Sequence, residues 1–323
     1  MKMFKLIALL SCLYCLPLCR TMAQVQGTDF PANSPISDQK PGSVLVFPLY
    51  SSTANGIAEN TRIAITNLGA ATAYLRLYLV NGGSGQVNSF QDCLIANQTH
   101  SFTASDVDPM VRGFIVVVAV GTDGKPVKYN FLAGEEDIKL ASGHRGSLKA
   151  TAISALVDNP GAQVGGLSLV QFDDVHYNRL PRTIAANKLK SLGEGNQPLL
   201  VLVSIAGSYN STVSSLGTYN GSLIGRGGVS FQASFSLTQN SPQLVQALSA
   251  SYPPTNPNYS NLIPHGATGW LKLWRSDDAG LLGAVFNYNA QSGATANTSG
   301  HNLRVLTLAG YERISILIQP SVC

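Results

Sequence analysis

The apolar residues of this chain come in short runs, and nearly every run is closed by glycine, proline, asparagine or serine. That spacing leaves little room for amphipathic helices and favours strands of about 5–6 residues joined by turns. Six such segments stand between 41 and 140: Ser43–Tyr50, Thr61–Asn67, Ala73–Val80, Gln98–Thr103, Gly113–Val120 and Lys125–Ala133. In the third, Leu75, Leu77 and Leu79 alternate with Tyr74, Arg76 and Tyr78, the period-two pattern of a strand with one buried face. The fifth is apolar on both faces from Phe114 to Val120, which predicts a central strand. Gly121-Thr122-Asp123-Gly124 then supplies hairpin-turn chemistry.

Residues 41–140 therefore read as an immunoglobulin-like antiparallel β-sandwich. Residues 141–323 read as a second β-rich domain. There Leu148–Val157 fits strand or short helix, and Thr183–Leu192 fits a helix. Strands are expected at Pro198–Ala206, Val229–Leu237, Thr268–Arg275, Leu281–Asn289 and Leu303–Ile318. Gly217–Gly228 and Tyr252–Pro264 read as long loops.

At the start of the chain, Lys2 and Lys5 precede an apolar run from Leu6 to Leu18, closed by Arg20 and the small-residue site Thr21-Met22-Ala23. This is the layout of a signal peptide, residues 1–23, and it predicts export to the cell surface or beyond, or to the periplasm. Leu16-Pro17-Leu18-Cys19 raises the alternative of a lipidated Cys19, which the bulk of Leu18 disfavours. Residues 24–40, with two prolines, read as an extended tail. Losing residues 1–23 removes three of 21 cationic residues and no acid, so the formal charge falls from +4 to +1. With no Lys/Arg cluster, a nucleic-acid partner is not expected. No later apolar stretch is long enough for a transmembrane segment. Cys12, Cys15 and Cys19 leave with the signal, so Cys93 and Cys323 remain as a disulfide pair or as two unpaired thiols.

Several local motifs carry a resemblance. They are Thr66-Asn67, Ala96-Asn97-Gln98-Thr99, Ala267-Thr268-Gly269-Trp270-Leu271-Lys272-Leu273, Leu281-Leu282-Gly283-Ala284 and Gly300-His301-Asn302-Leu303. With them the chain resembles a set of uncharacterised secreted bacterial β-sandwich proteins over most of its mature length. The resemblance implies export and an all-β fold, and it implies no activity or catalytic residues.

Chemistry is sparse. No serine sits in Gly-x-Ser-x-Gly, and Ser37-Asp38-Gln39-Lys40 matches Ser-x-x-Lys without its partner motifs. The five histidines stand singly, so neither a metal site nor a cofactor is expected. Asp173-Asp174-Val175-His176, Asp106-Val107-Asp108 and Glu135-Glu136-Asp137 read as solvated turns. Gly225-Arg226-Gly227-Gly228 lacks the Lys-Ser/Thr of a phosphate loop. The most informative feature is Gly269-Trp270-Leu271-Lys272-Leu273-Trp274-Arg275, which holds both tryptophans. As a strand it puts Trp270, Lys272 and Trp274 on one face, either as a sugar-stacking platform or as packing residues. The leading functional reading is a non-catalytic secreted or surface protein with a structural, adhesive or self-assembly role. Its partners would be itself or other surface proteins. Two alternatives stand beside it: a carbohydrate-binding module using Trp270, Lys272 and Trp274, and a glycoside hydrolase pairing Asp173 or Asp174 with Asp277 or Asp278.

Overall fold

Alternating and doubly apolar segments become strands almost wherever they occur. The computed structural model describes residues 36–53, 56, 58–226, 232–293 and 298–321. The expected signal segment, tail residues 24–35 and Cys323 lie outside the described residues. The first strands are β1 (Val44–Ser51), β2 (Asn60–Asn67), β3 (Ala73–Asn81), β4 (Val87–Leu94), β5 (Thr99–Thr103), β6 (Arg112–Val120), β7 (Leu132–Lys139), β8 (Arg145–Lys149) and β9 (Thr151–Ile153). There follow β10 (Gly161–Val164), β11 (Leu167–Phe172), β12 (Pro181–Lys190), β13 (Asn196–Val203), β14 (Gly207–Ser208), β15 (Gly217–Ile224), β16 (Gln232–Gln239) and β17 (Gln243–Ala247). The last are β18 (Thr268–Arg275), β19 (Leu282–Asn289), β20 (Ser299–Asn302), β21 (Arg304–Leu308) and β22 (Glu312–Leu317). Among the described residues helix is limited to single turns such as α1 (Ala104–Val107) and α2 (Tyr259–Leu262). At 57 % strand and 4 % helix the chain is mainly β, as its run lengths require.

Five small sheets lie in a propeller-like ring. A central sheet, β4-β3-β6-β1-β9, is flanked by β5-β2-β7-β8 on one face and β10-β11-β22-β14 on the other. In the second half, β16-β15-β18-β12-β21 packs through one face against β17-β13-β19-β20. We call these two the tryptophan sheet and the inner sheet. Among the described strands pairing is antiparallel except where β14 meets β22.

Strand β6 shows why this arrangement holds. Phe114, Val116, Val118 and Val120 enter one core, while Ile115, Val117 and Ala119 enter another. β1 divides in the same way, Val44 and Val46 against Leu45 and Phe47. β3 was expected to bury one face only, yet Tyr78 and Val80 join the second core and Arg76 is buried too. Its polar-looking face is covered by the β11–β22 layer.

Four further expectations change. The helix expected at 183–192 is strand β12, because pairing with β18 and β21 on both sides outweighs the local helix propensity of its alanines. Gly217–Gly228, read as a loop, contains β15; Gly221 is there because a side chain would run into the Phe235 ring, not because the chain turns. The Gly121–Lys125 turn forms and the chain pairs back briefly, Val120 bridging Pro126 and Val127 N donating to Ala119 O at 3.1 Å, but the strand expected over Lys125–Ala133 is not formed. The chain crosses to the flanking sheet, where β7 starts at Leu132 and pairs with β2. The described part of the tail is not a free extension: Ile36 is buried, and Ser37 exchanges two backbone hydrogen bonds with Ala152 of β9. Past residue 140, β8 and β9 complete the two sheets begun in the first half.

Candidate functional site

The tryptophan sheet keeps one face free. In β18, Gly269, Leu271 and Leu273 point into the core between the two sheets, while Trp270, Lys272 and Trp274 point away from it. Trp270 is 38 % exposed, and Lys272 and Trp274 are half-buried among their outer-face neighbours. The period-two reading of this strand therefore holds, and the indoles do not plug the core.

The register extends the site across the sheet. Trp274 stands between Asn220 of β15 and Thr183 of β12, with Ser236 and Thr307 beyond them. Lys272 stands between Ser222 and Ala185, with Ser234 and Arg304 beyond. Trp270 pairs with Ile224, followed by Gln232. Hydroxyls and amides thus tile the face around the rings. Ser222 and Ser234 are bonded at 3.0 Å, Gln232 Nε2 donates to Ser222 at 3.1 Å, and Thr307 donates to Thr183 at 2.7 Å. Four residues of extended strand separate the indoles, about 13 Å. Lys272 Nζ lies 5.5 Å from the centre of a Trp274 ring, a cation–π contact that holds the ammonium over the face. Among the described residues neither indole N–H has a hydrogen-bond partner.

The five strands of this sheet contain no aspartate or glutamate. The face can stack rings and hydrogen-bond hydroxyls, but it has no carboxylate to cleave a glycosidic bond.

The remaining candidates are occupied elsewhere. Asp173 accepts hydrogen bonds from the Val175 and His176 backbone and from the His176 ring at 2.8 Å. These bonds outweigh its partial burial and hold its carboxyl below the usual range. Asp277 is likewise lowered, chiefly by hydrogen bonds from Arg275. Asp174 pairs with Arg179 at 3.2 Å and Asp278 with Arg182 at 3.1 Å. Asp106 accepts from Thr103, and Asp108 from the Tyr50 hydroxyl at 2.5 Å. Among the described residues no group of His, Cys, Asp or Glu is arranged to hold a metal ion.

Glu136 departs from its reading as a solvated turn. It sits inside β7, fully buried, with neither carboxylate oxygen hydrogen-bonded to a side chain or to the backbone at normal geometry. Burial pushes its pKa well up. Gly227 and Gly228 of the glycine-rich turn lie outside the described residues. So does Cys323; the described end of the chain is tied beside β4, where Gln91 Nε2 donates to Pro320 O at 3.0 Å, two residues from Cys93.

No protein-family model matches the chain, and no curated protein matches it. Among solved structures, a Thermotoga maritima protein is similar over 34 % of this chain and 90 % of its own, at 11 % identity and TM-score 0.26. A β-D-glucuronidase of Dictyoglomus thermophilum is similar over 82 % of this chain, at 9 % identity and TM-score 0.16. The secreted serine protease VesC of Vibrio cholerae is similar over 83 %, at 11 % identity and TM-score 0.17. The chain spans 36 % of the glucuronidase and 50 % of the protease. At these TM-scores the likenesses carry no argument about fold or activity.

Proposed function

We propose that this is an exported, non-catalytic adhesion protein that binds glycans through the outer face of its tryptophan sheet. The observation that carries the reading is the solvent-facing row Trp270–Lys272–Trp274, set among hydroxyl and amide side chains on a sheet without carboxylates. Indole faces stack on sugar rings, and free indole N–H groups, Lys272 and the amides supply donors to hydroxyls. The lack of acids on that face, with the dispersed aspartates engaged in turns and ion pairs, supports binding over hydrolysis. The immunoglobulin-like reading of the first half is supported by two sheets meeting across one core, with the chain crossing between them after β6.

A glycan array probed with the purified protein tests this. Binding to at least one neutral or acidic polysaccharide is expected, with Trp270→Ala lowering affinity at least tenfold while the fold is retained. A blank array for the unmutated protein removes the reading.

A further inference from the structure

At the β21 edge of the tryptophan sheet, where Arg304 ends the Lys272 row, the edges of three sheets enclose a cleft of about 650 Å3, within the size range of small-molecule sites. One wall is the Ile36–Gln39 segment docked on β9; the others come from β12, β19, β20 and β21. Between Ala186 and Leu189, β12 slips out of register with β18, and the bulge turns Asn187 and Lys188 into the cleft lining. Lys188 holds a left-handed backbone, φ 57°, a conformation that a residue with a Cβ rarely adopts.

The polar groups of the cleft are unbalanced in two ways. Lys188, Lys190 and Arg304 line it against one carboxylate, Asp38, and none of the three is ion-paired among the described residues. They call for an anion. Three buried polar atoms also lack partners: Asn287 Oδ1, Asn302 Oδ1 and His301 Nε2. Asn287 is only 5 % exposed. The Asn302 amide nitrogen already donates to Lys149 O at 2.6 Å and faces Asp38 Oδ2 at 3.3 Å, which fixes its oxygen as the open position. Burial, then the charges of Arg304 and Lys188, hold His301 below its usual pKa. Its ring is therefore neutral near pH 7 and offers a lone pair. Buried acceptors left open are unfavourable, so they call for donors.

A bare anion such as phosphate would answer the cations and leave the acceptors open. A neutral sugar would do the reverse. We propose that this cleft binds a small polyhydroxy carboxylate, the chemistry of a sugar acid. Lys188 and Arg304 meet the carboxylate, and Asn287, Asn302 and His301 accept from the hydroxyls. The proposal does not rest on the stacking of sugars by Trp270 and Trp274.

Isothermal titration of the full chain with galacturonate, galactose and phosphate separates the two requirements. Galacturonate is expected to bind, with galactose and phosphate at least tenfold weaker. Lys188→Ala and the exposed Arg304→Gln are each expected to weaken galacturonate at least tenfold. Equal binding of galactose or of phosphate, no heat with galacturonate, or indifference to both cation substitutions overturns the proposal. An oligosaccharide ending in galacturonate that binds tighter than the free acid assigns the ligand to a chain end; the opposite order assigns it to the free sugar acid.

Discussion

Strands β6 and β18 occupy the same position in their sheets, each paired on both sides, yet they have opposite uses. β6 is buried from Gly113 to Val120 and feeds two cores at once. β18 buries every second residue and leaves tryptophan, lysine and tryptophan facing out. A strand apolar on both faces has no surface left to recognise anything; it is scaffold. A strand with one free face can present chemistry without loss of stability. The difference should appear as a division of labour between mutations.

The largest effect is expected at Phe114, which is fully buried in the layer between the central sheet and β11–β22. Phe114→Ala should destabilise the protein by about 3–5 kcal/mol, measured as the shift in urea midpoint. Trp270→Ala should stay within about 1 kcal/mol on the same measurement. Equal losses from the two substitutions would break the comparison, because Trp270 would then be a packing residue.

Second comes the joint between the halves. β1 and β6 slip register between Phe47 and Tyr50, beside the Pro48 and Gly113 carbonyls. Gln243, from β17 of the inner sheet, donates its amide to both at 2.8 Å. Gln243→Ala strands two buried acceptors and should cost about 2–4 kcal/mol. Loss of a single cooperative unfolding transition in calorimetry would sharpen this further, since it would show that Gln243 couples the two halves.

These contrasts also mark what the sequence could tell. Phe114–Val120 and Trp270–Arg275 are both legible, because uninterrupted apolar residues and strict alternation each specify a burial pattern directly. β12 and β15 are not. Ala185 and Ala186 carry a helix signal and Gly221 a turn signal, and both are overridden by partners distant in sequence, Leu271–Trp274 and Phe235. β4, VNSFQDCL, has no apolar period to find because it is an edge strand. The cleft around Lys188 was harder still. Its walls come from segments near 36, 187 and 302, which no spacing in the sequence connects. Glu136 was hidden for the opposite reason, since three successive acids look solvated on paper while strand alternation sends the middle one inward.

That residue gives the subtlest test. Glu136 on β7 faces the β1 side of the core, with Ile63 and Leu148 as its cross-strand neighbours. Its carboxyl is neutral in the fold because burial raises its pKa well above 4.5. In the unfolded chain it ionises near the ordinary value, so the folded state holds a proton that the unfolded state has lost. Stability from the neutral form is then complete below about pH 4.3 and is eroded as pH rises toward the folded pKa. Glu136→Gln replaces a neutral carboxyl with a neutral amide of the same shape, so at acid pH the two proteins should differ by less than about 1 kcal/mol. Above that the wild type should lose stability with pH while the variant stays flat, read from urea unfolding between pH 4 and pH 8. A wild type as flat as the variant would mean that Glu136 reaches water, and that the region beside the central sheet is less sealed than β6 implies.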